Sequence, residues 1–261
     1  MKINHLRNAT LILETAQQVI IIDPALGDRG SIPPLSIFRA KRIQRNPTVP
    51  LPQTTHALLK KVTHCLITHL HPDHLDKAGT TWLRTNGIPI YCSRYDAAKL
   101  QKQDLAIAQT LDYHQPIPFF GGTLEGIPAT HGYGFVARLM GKVMGFHLEL
   151  PEAPSVYVSA DTILTPAVRQ VLRDKAPHVV VAASGGARLD VFQPLLMRLD
   201  EVVELAQLVP HQMMANHLEA LNHCPTTRKA LRQALQKKGL LDKVWIPEDG
   251  TARVFALPPT A

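Results

Sequence analysis

Histidines and aspartates are concentrated in one short stretch, residues 68–76, which reads Thr-His-Leu-His-Pro-Asp-His-Leu-Asp. Four side chains of this stretch that could bind a metal lie within six residues, namely His69, His71, Asp73 and His74. Neutral imidazole nitrogens and carboxylate oxygens are ligands of zinc and of similar divalent metals. Pro72 lies among them and restricts the turn, because its ring fixes φ. The spacing therefore predicts a metal site rather than a histidine-rich loop that makes ordinary hydrogen bonds.

The pattern His-x-His-x-Asp-His resembles the signature of the metallo-β-lactamase fold superfamily, and of its metal-dependent hydrolases in particular. The resemblance extends over nearly the whole chain, and within the superfamily it is strongest to the branch that includes ascorbate 6-phosphate lactonase. It implies an α/β fold, the four-layer αβ/βα sandwich of the metallo-β-lactamase type. We expect residues 1–261 to form a single domain with two similar halves, roughly 1–140 and 141–261, that share one core.

The resemblance also implies metal ligands from later parts of the chain. His131 follows the apolar run 124–129, in a turn that resembles a metal-bearing loop of the family. Asp161 follows a predicted strand, and in the family this aspartate bridges two metals. A buried carboxylate must be paired, hydrogen-bonded or bound to a metal, because burying it bare costs several kcal/mol. The family often has glycine before this aspartate, where this chain has Ala160.

Two histidines compete for the role of last ligand. His217 follows a predicted strand and matches the final histidine of the family better, so we favour it. In a helix, His223 would lie about 240° around the axis from His217, and both could not face one metal. We retain His223, together with Glu219, as a residue that supports the ligands or faces the substrate. Polar residues at the start of a helix would explain Glu219 equally well.

Asp23 ends a predicted strand and precedes Pro24, which cannot continue a central ladder. In the resembling family an aspartate at this position lies beneath the metal loop and holds it through hydrogen bonds. We expect the same supporting role for Asp23. A turn closed by the aspartate side chain would use the same residues, so the sequence leaves both interpretations open.

The family pattern implies two metal ions with separate ligand sets. It assigns His69, His71 and His131 to one metal and Asp73, His74 and His217 to the other, with Asp161 between them. Zinc is the expected ion because the ligands are rich in nitrogen, although manganese and iron bind similar donors. Metals of this kind lower the pKa of bound water towards about 7 and so supply a hydroxide at neutral pH. Asp73 would orient that nucleophile as the catalytic carboxylate.

We therefore predict a metallo-hydrolase that acts on an ester, lactone or phosphoester bond of a small molecule. A nuclease or phosphodiesterase of the same fold is one alternative, but no insertion combines dense lysine, arginine and aromatic residues, so we do not expect nucleic acid as a partner. A non-hydrolytic metal-binding or redox protein is the other alternative. The sequence does not determine the oligomeric state.

The surrounding pattern predicts alternating strands and helices. Strands are predicted at 10–14, 18–22, 62–67, 88–91, 122–129, 136–139, 145–150, 155–160, 178–183, 243–246 and 251–257. Helices are predicted at 77–85, 94–101, 165–174, 200–208 and 227–238. Ser93 and Thr226 are the predicted caps of the second and last of these helices. This alternation indicates layered α/β architecture.

Residues 25–58 are predicted to form a long irregular segment, rich in proline and with interspersed arginine and lysine. Loops of this length in a compact domain are typically lids or binding segments. Its basic residues Arg39, Lys41, Arg42 and Arg45 could meet an anionic substrate. We interpret them as solvated charge, since surface charge rarely contributes a specific interaction.

Composition is that of an ordinary soluble enzyme, with 45% hydrophobic and 19% charged residues. Three cysteines without a CxxC pair make a disulfide framework improbable and favour a reducing compartment. With neither a signal-peptide pattern nor an apolar run of membrane-spanning length, we predict a cytoplasmic protein without a membrane partner. The net charge of +7 is compatible with an anionic substrate, but we ascribe it to scattered surface residues.

Overall fold

Two seven-stranded sheets organise the chain. The structure is a computed structural model that describes residues 1–40 and 43–257. The elements up to residue 111 are, in order, β1 (Lys2–Arg7), β2 (Thr10–Glu14), β3 (Val19–Ile22), α1 (Thr55–Leu59), β4 (His64–Ile67), α2 (Lys77–Thr85), β5 (Ile90–Ser93), α3 (Arg94–Gln101) and β6 (Ile107–Leu111). They are followed by β7 (Ile117–Phe119), β8 (Gly122–Ala129), α4 (Val136–Leu139), β9 (Val143–Glu149), β10 (Val156–Val158), α5 (Pro166–Asp174), β11 (Val179–Ala183), α6 (Leu199–Leu208), β12 (Gln212–Asn216), α7 (Arg228–Gln236), β13 (Val244–Trp245) and β14 (Ala252–Val254).

Strand direction brings the ends of distant strands together at one edge of each sheet. The first sheet has the order β14-β1-β2-β3-β4-β5-β6, and its strands β3 to β6 are parallel. The second has the order β13-β12-β11-β10-β9-β8-β7. Because β9 is antiparallel to both β8 and β10, and β10 to β12 are parallel, the strands β8, β10 and β12 all point the same way. Polar residues that follow these strands therefore emerge at a common edge.

Three apolar clusters define four layers. One cluster lies between the sheets and contains residues of both, such as Leu13 and Phe146. The outer face of the first sheet packs on α1, α2 and α3, and that of the second on α5, α6 and α7. The order helix, sheet, sheet, helix confirms the predicted αβ/βα sandwich. Among the residues described, α6 is the longest helix at 10 residues, and none has the length and apolar character needed to cross a membrane.

The predicted halves divided the chain at the wrong place. The first sheet takes its strands from residues 2–111 and then adds β14, whereas the second begins at β7. The chain thus crosses between sheets near residue 114 rather than residue 140. Hydrophobic alternation identifies strands but carries no information on which sheet each one joins.

Most helix boundaries follow the predictions, and the exceptions have local causes. Residues 136–139, predicted as a strand, form the short helix α4. The strands that flank this segment in the chain, β8 and β9, are each already paired on both sides, so a strand between them could not pair with either. The predicted cap of the last helix was also wrong by one residue. Thr227 accepts the amide hydrogen of Ala230, while the Thr226 amide donates to the carbonyl of Gly185.

Candidate metal centre

The loop 68–76 begins where β4 ends and is anchored to the end of β3. Asp23 accepts hydrogen bonds from the amide of Thr68 at 2.8 Å and from its hydroxyl at 2.7 Å. At the far end of the loop, Asp76 accepts the amides of Leu26 and Gly79, at 3.1 Å and 2.7 Å. The second of these bonds caps α2. The loop is therefore fixed at both ends by buried carboxylates.

One group of three histidines combines this loop with the turn after β8. His69, His71 and His131 each offer one nitrogen, and the three nitrogens lie within 4.8 Å of one another. Nε2 of His69 and Nδ1 of His71 are 3.1 Å apart. The other ring nitrogens of two members have oxygen partners, since Nδ1 of His131 lies 3.0 Å from the carbonyl of Leu195 and Nδ1 of His69 lies 2.9 Å from the hydroxyl of Thr68. Such contacts fix the ring orientation and the tautomer of a histidine that binds a metal.

A second group joins the loop to the ends of β10 and β12. Asp73, His74, Asp161 and His217 are all buried, and their ligand atoms again lie within 4.8 Å of one another. Nε2 of His217 lies 3.2 Å from Asp73 and 3.6 Å from Asp161. Asp161 also approaches Nε2 of His131, at 3.4 Å. Its carboxylate thus lies between the two groups.

The residues behind the second group orient its imidazoles. Nδ1 of His74 lies 2.8 Å from Asp23, which is the supporting position expected for that aspartate. Nδ1 of His217 lies 3.5 Å from the sulfur of Cys224, a contact that the sequence did not suggest. Asn8 is a second residue that the sequence analysis missed. Its side chain donates to the carbonyl of Asp73, and its own carbonyl accepts the amide of His217.

Several residues at this edge have a left-handed backbone. The φ angles are +50° at Asp23, +56° at Ala160, +58° at His217 and +59° at Glu219. Residues other than glycine adopt the left-handed conformation at a cost of about 1 kcal/mol or more, so this conformation persists where the surrounding structure imposes it. Ala160 is the position where the resembling family often has glycine, and its φ explains why glycine suits that turn.

The carboxylates of the second group are ionised, and they make the site favourable for positive charge. Burial lowers the pKa of His74, but Asp161, Asp73 and Asp23 outweigh burial and raise that pKa to about 10. Burial raises the pKa of Asp161, and the imidazoles of His217 and His74 more than reverse this, so the pKa lies well below its usual value. Carboxylates held ionised around a shared centre provide the electrostatic setting in which a divalent cation is stable.

Two histidines of the first group, His69 and His71, are held in the neutral form that metals require. Burial lowers the pKa of His69 well below its usual value, and the neighbouring His74 lowers it further. Burial and the nearby His131 also lower the pKa of His71. A neutral imidazole has a free lone pair, whereas a protonated one must first lose its proton before it can bind a metal.

Two buried atoms of the cluster indicate that its chemistry fits a metal. Nε2 of His74 and Oδ1 of Asp161 are inaccessible to solvent, and no described residue satisfies either with a hydrogen bond. They are 3.3 Å apart, but not aligned for such a bond. Buried polar atoms normally have a hydrogen-bond partner. Two such atoms without one, among nitrogen and oxygen donors, indicate that a single metal ion could bind both of them.

The remaining predicted residues lie beside the cluster rather than in it. Residues 217–223 are irregular, not helical. His223 is only 6% exposed, and its Nδ1 has no partner among the described residues. Glu219 is paired with the buried Arg228 at 2.8 Å. Arg228 also bonds Asp249 at 2.7 Å, so the two pairs tie this loop to the turn before β14.

The described residues of the segment 25–58 cross the outside of the same loop. Asn46 and Asn222 bond reciprocally, with the amide nitrogen of the Asn46 side chain donating to Oδ1 of Asn222 and the Asn222 backbone donating to Oδ1 of Asn46. Thr48 adds bonds to the carbonyls of Glu219 and Ala220. The segment is therefore docked on the site, and its last residues belong to α1. The predicted basic residues Lys41 and Arg42 lie outside the described residues.

Comparison with known proteins identifies the family to which this chain is similar. The family described as a β-lactamase superfamily domain matches residues 18–218. UPF0173 protein YddR of Bacillus subtilis (strain 168) is 30% identical over 260 residues, which is 98% of this chain and 100% of the relative. A possible metal-dependent hydrolase from Veillonella parvula DSM 2008 is 27% identical and superposes with a TM-score of 0.89, over 98% of this chain and 99% of the other. An isothiocyanate hydrolase from Delia radicum gut bacteria is 29% identical, with a TM-score of 0.87 over 98% and 100%.

Proposed function

The chain belongs to the β-lactamase superfamily and is a metal-dependent hydrolase, and from this premise we propose that it holds two zinc ions and cleaves an ester, lactone or phosphoester bond of a small molecule. The observation that carries the proposal is the pair of adjacent ligand groups, each assembled from both sheets. His69, His71 and His131 would hold one ion, and Asp73, His74 and His217 the other. Asp161 would be shared between them.

The chain's own residues set the chemistry of that centre. When bound, zinc supplies a nucleophile at neutral pH by lowering the pKa of coordinated water towards about 7, and it polarises the substrate oxygen. Asp73 is kept ionised because the imidazoles of His74 and His217 overcome the opposing effect of burial and lower its pKa. An ionised carboxylate at this position accepts a hydrogen bond and so can orient the attacking water. The burial of the cluster excludes other water and strengthens these interactions.

A two-residue variant tests the proposal. His69→Ala combined with His71→Ala removes two of the three nitrogens of the first group, so we expect the metal content to fall and turnover to be lost. The control, His56→Ala with His211→Ala, removes two exposed histidines that belong to neither group. Metal content is measured by elemental analysis, and turnover with p-nitrophenyl acetate, a γ-lactone and bis-p-nitrophenyl phosphate. Full metal occupancy in the first variant would contradict the ligand assignment.

Isothiocyanate hydrolysis is a second candidate, because one similar protein has that activity by name. An isothiocyanate carries an electrophilic carbon and, in most cases, an apolar group. Three apolar side chains stand exposed in this region, with Phe38 at 86%, Phe135 at 66% and Val191 at 80%. Phe135 follows His131 in the chain, Val191 belongs to the loop whose Leu195 carbonyl contacts His131, and the Phe38 amide donates to Asp190 of that loop. Turnover of allyl isothiocyanate that exceeds turnover of the three compounds above would favour this candidate over the first.

A further inference from the structure

A cleft of about 260 Å³ lies directly beside the second metal group, and the proposed function does not account for it. Its residues come from the docked segment 25–58, from the loop 219–227 and from Arg188. Cys224 lines the cleft and also supports His217 at 3.5 Å, so the cleft and the metal group share a wall. The volume is below the range typical of pockets for drug-sized ligands, about 300–1,000 Å³, which suits a small substituent.

The floor of the cleft contains a buried polar side chain without a partner. His223 lines the cleft, is 6% exposed, and has an Nδ1 atom that no described residue bonds. Burial lowers the pKa of His223 to about 4, so the ring is neutral at pH 7 and carries one N–H donor. The other ring nitrogen, Nε2, also has no hydrogen bond to a described residue and is not closed off from solvent, so it is the nitrogen that a ligand in the cleft can reach.

The charged side chains that line the cleft are two arginines and one glutamate, and the carboxylate of Asp190 accepts hydrogen bonds from the lining residues Ser36 and Arg39. Arg39 and Arg188 both line it, and both are exposed. The guanidinium of Arg39 is oriented by bonds to the carbonyls of Leu189 and Phe192. No described residue accepts a hydrogen bond from the guanidinium of Arg188. The acidic side chain in the lining, Glu219, is already neutralised by Arg228.

We propose that this cleft binds an oxyanion substituent of the substrate, a carboxylate or a phosphate, with Arg188 as the main charged contact and His223 as a hydrogen-bonding partner. Guanidinium groups bind both oxyanions through paired hydrogen bonds, and a neutral imidazole N–H adds one donor. This inference rests on the proposed function, because the cleft lies beside the hydrolytic centre and would hold the part of the substrate that is not cleaved. It predicts a small, negatively charged substrate.

The test uses the zinc-loaded full chain and two esters that differ by one methyl group. p-Nitrophenyl hemisuccinate carries a free carboxylate, and its methyl ester is the neutral match. For Arg188→Gln we expect kcat/KM to fall about tenfold with the charged ester and to change less than twofold with the neutral one. The control Arg173→Gln removes an exposed arginine on α5 that does not line the cleft, and should leave both rates unchanged. Equal losses on both esters, or no loss, would overturn the proposal.

Direct binding separates failure of this inference from failure of the proposed function. If the wild type cleaves neither ester, the proposal that the protein hydrolyses esters fails. Calorimetric titration with succinate and with inorganic phosphate then still tests whether the cleft binds an oxyanion. Weaker binding of either anion by about tenfold in Arg188→Gln, but not in Arg173→Gln, would support the cleft and identify which oxyanion it takes. Equal affinity in all three proteins for both anions would overturn it.

Discussion

Asp23 lies 2.8 Å from Nδ1 of His74 and joins that histidine to the start of the loop that carries it, since the same carboxylate accepts two bonds from Thr68. A carboxylate behind a metal-binding imidazole raises the basicity of the ligand and fixes its ring. Asp23→Asn keeps the size but removes the charge. We expect the affinity for zinc to fall about 10- to 100-fold, as is usual for the loss of such a partner.

Competition with a chromogenic zinc chelator measures this effect. Asp242→Asn is the matched control, because Asp242 is exposed and belongs to neither ligand group. An unchanged zinc affinity in Asp23→Asn would show that His74 does not depend on the carboxylate behind it.

Removal of metal should lower the melting temperature of the protein. An ion that binds only the folded chain stabilises it by about 2.7 kcal/mol at a free concentration 100 times its Kd. For a chain of this size that corresponds to a rise in Tm of about 5–10 °C. Calorimetry on chelator-treated protein, before and after the return of zinc, measures the difference. Magnesium is the control ion because it prefers oxygen ligands, and an equal rise with magnesium would argue against a nitrogen-rich site.

Asn222 should control how firmly the segment 25–58 is docked. Its Oδ1 accepts bonds from Leu35 and Asn46, and its side-chain nitrogen donates to the carbonyl of Ser36. Asn222→Ala removes all three bonds, and we expect tryptic cleavage after Arg39 to become several-fold faster. The Tm should change by only a few degrees because the sheets are untouched.

Limited proteolysis followed by mass spectrometry locates the cleavage. Asn86→Ala serves as the control, since Asn86 is exposed at the end of α2 and its side chain bonds only locally. A cleavage rate equal to that of the wild type would mean that Asn222 does not hold the segment.

His5 should make the protein less stable in mild acid. It is buried on β1 with Nε2 3.2 Å from Asp249, and burial lowers its pKa despite that carboxylate. In the unfolded chain a histidine has a pKa of about 6.5. Below that pH the unfolded chain binds a proton that the folded chain excludes, so the free energy of unfolding falls as the pH drops from about 6.5 through the lowered pKa.

Urea denaturation at pH 7.0 and pH 5.5 measures this loss. In His5→Gln the difference between the two pH values should be smaller than in the wild type, whatever the stability of the variant at pH 7.0. His56→Gln changes an exposed histidine and should retain the wild-type difference. An unchanged pH dependence in His5→Gln would assign the acid sensitivity to other groups.

The parts of the site that are close in sequence could be predicted, because their chemistry is visible without the fold. His69, His71, Asp73 and His74 lie within six residues, so their mutual proximity depends only on a tight turn. Asp23, His131, Asp161 and His217 came from the family resemblance, and the structure brings all four next to that turn. That His131, Asp161 and His217 bind metal, with Asp23 in a supporting role, stays a prediction.

Contacts between distant loops could not be predicted from residue type. Asn46 and Asn222 are 176 positions apart, and nothing in either residue indicates the other. Cys224 contacts His217 only because the chain between them turns back on itself. Strand β1 was missed because Asn4, His5 and Arg7 interrupt its apolar pattern, yet all three side chains are buried. These side chains contact tertiary partners that local sequence does not reveal, as with the bonds from Arg7 to the carbonyls of Ala25 and Gly27.

Each ligand group draws residues from both sheets, with the loop after β4 on one side and the ends of β8, β10 and β12 on the other. Neither sheet alone presents a complete cage. A preparation in which the sheets are misassembled would therefore load substoichiometric metal even if every ligand residue were intact. The metal-to-protein ratio then doubles as a quality measure for recombinant batches, and it reports on correct assembly without any knowledge of the substrate.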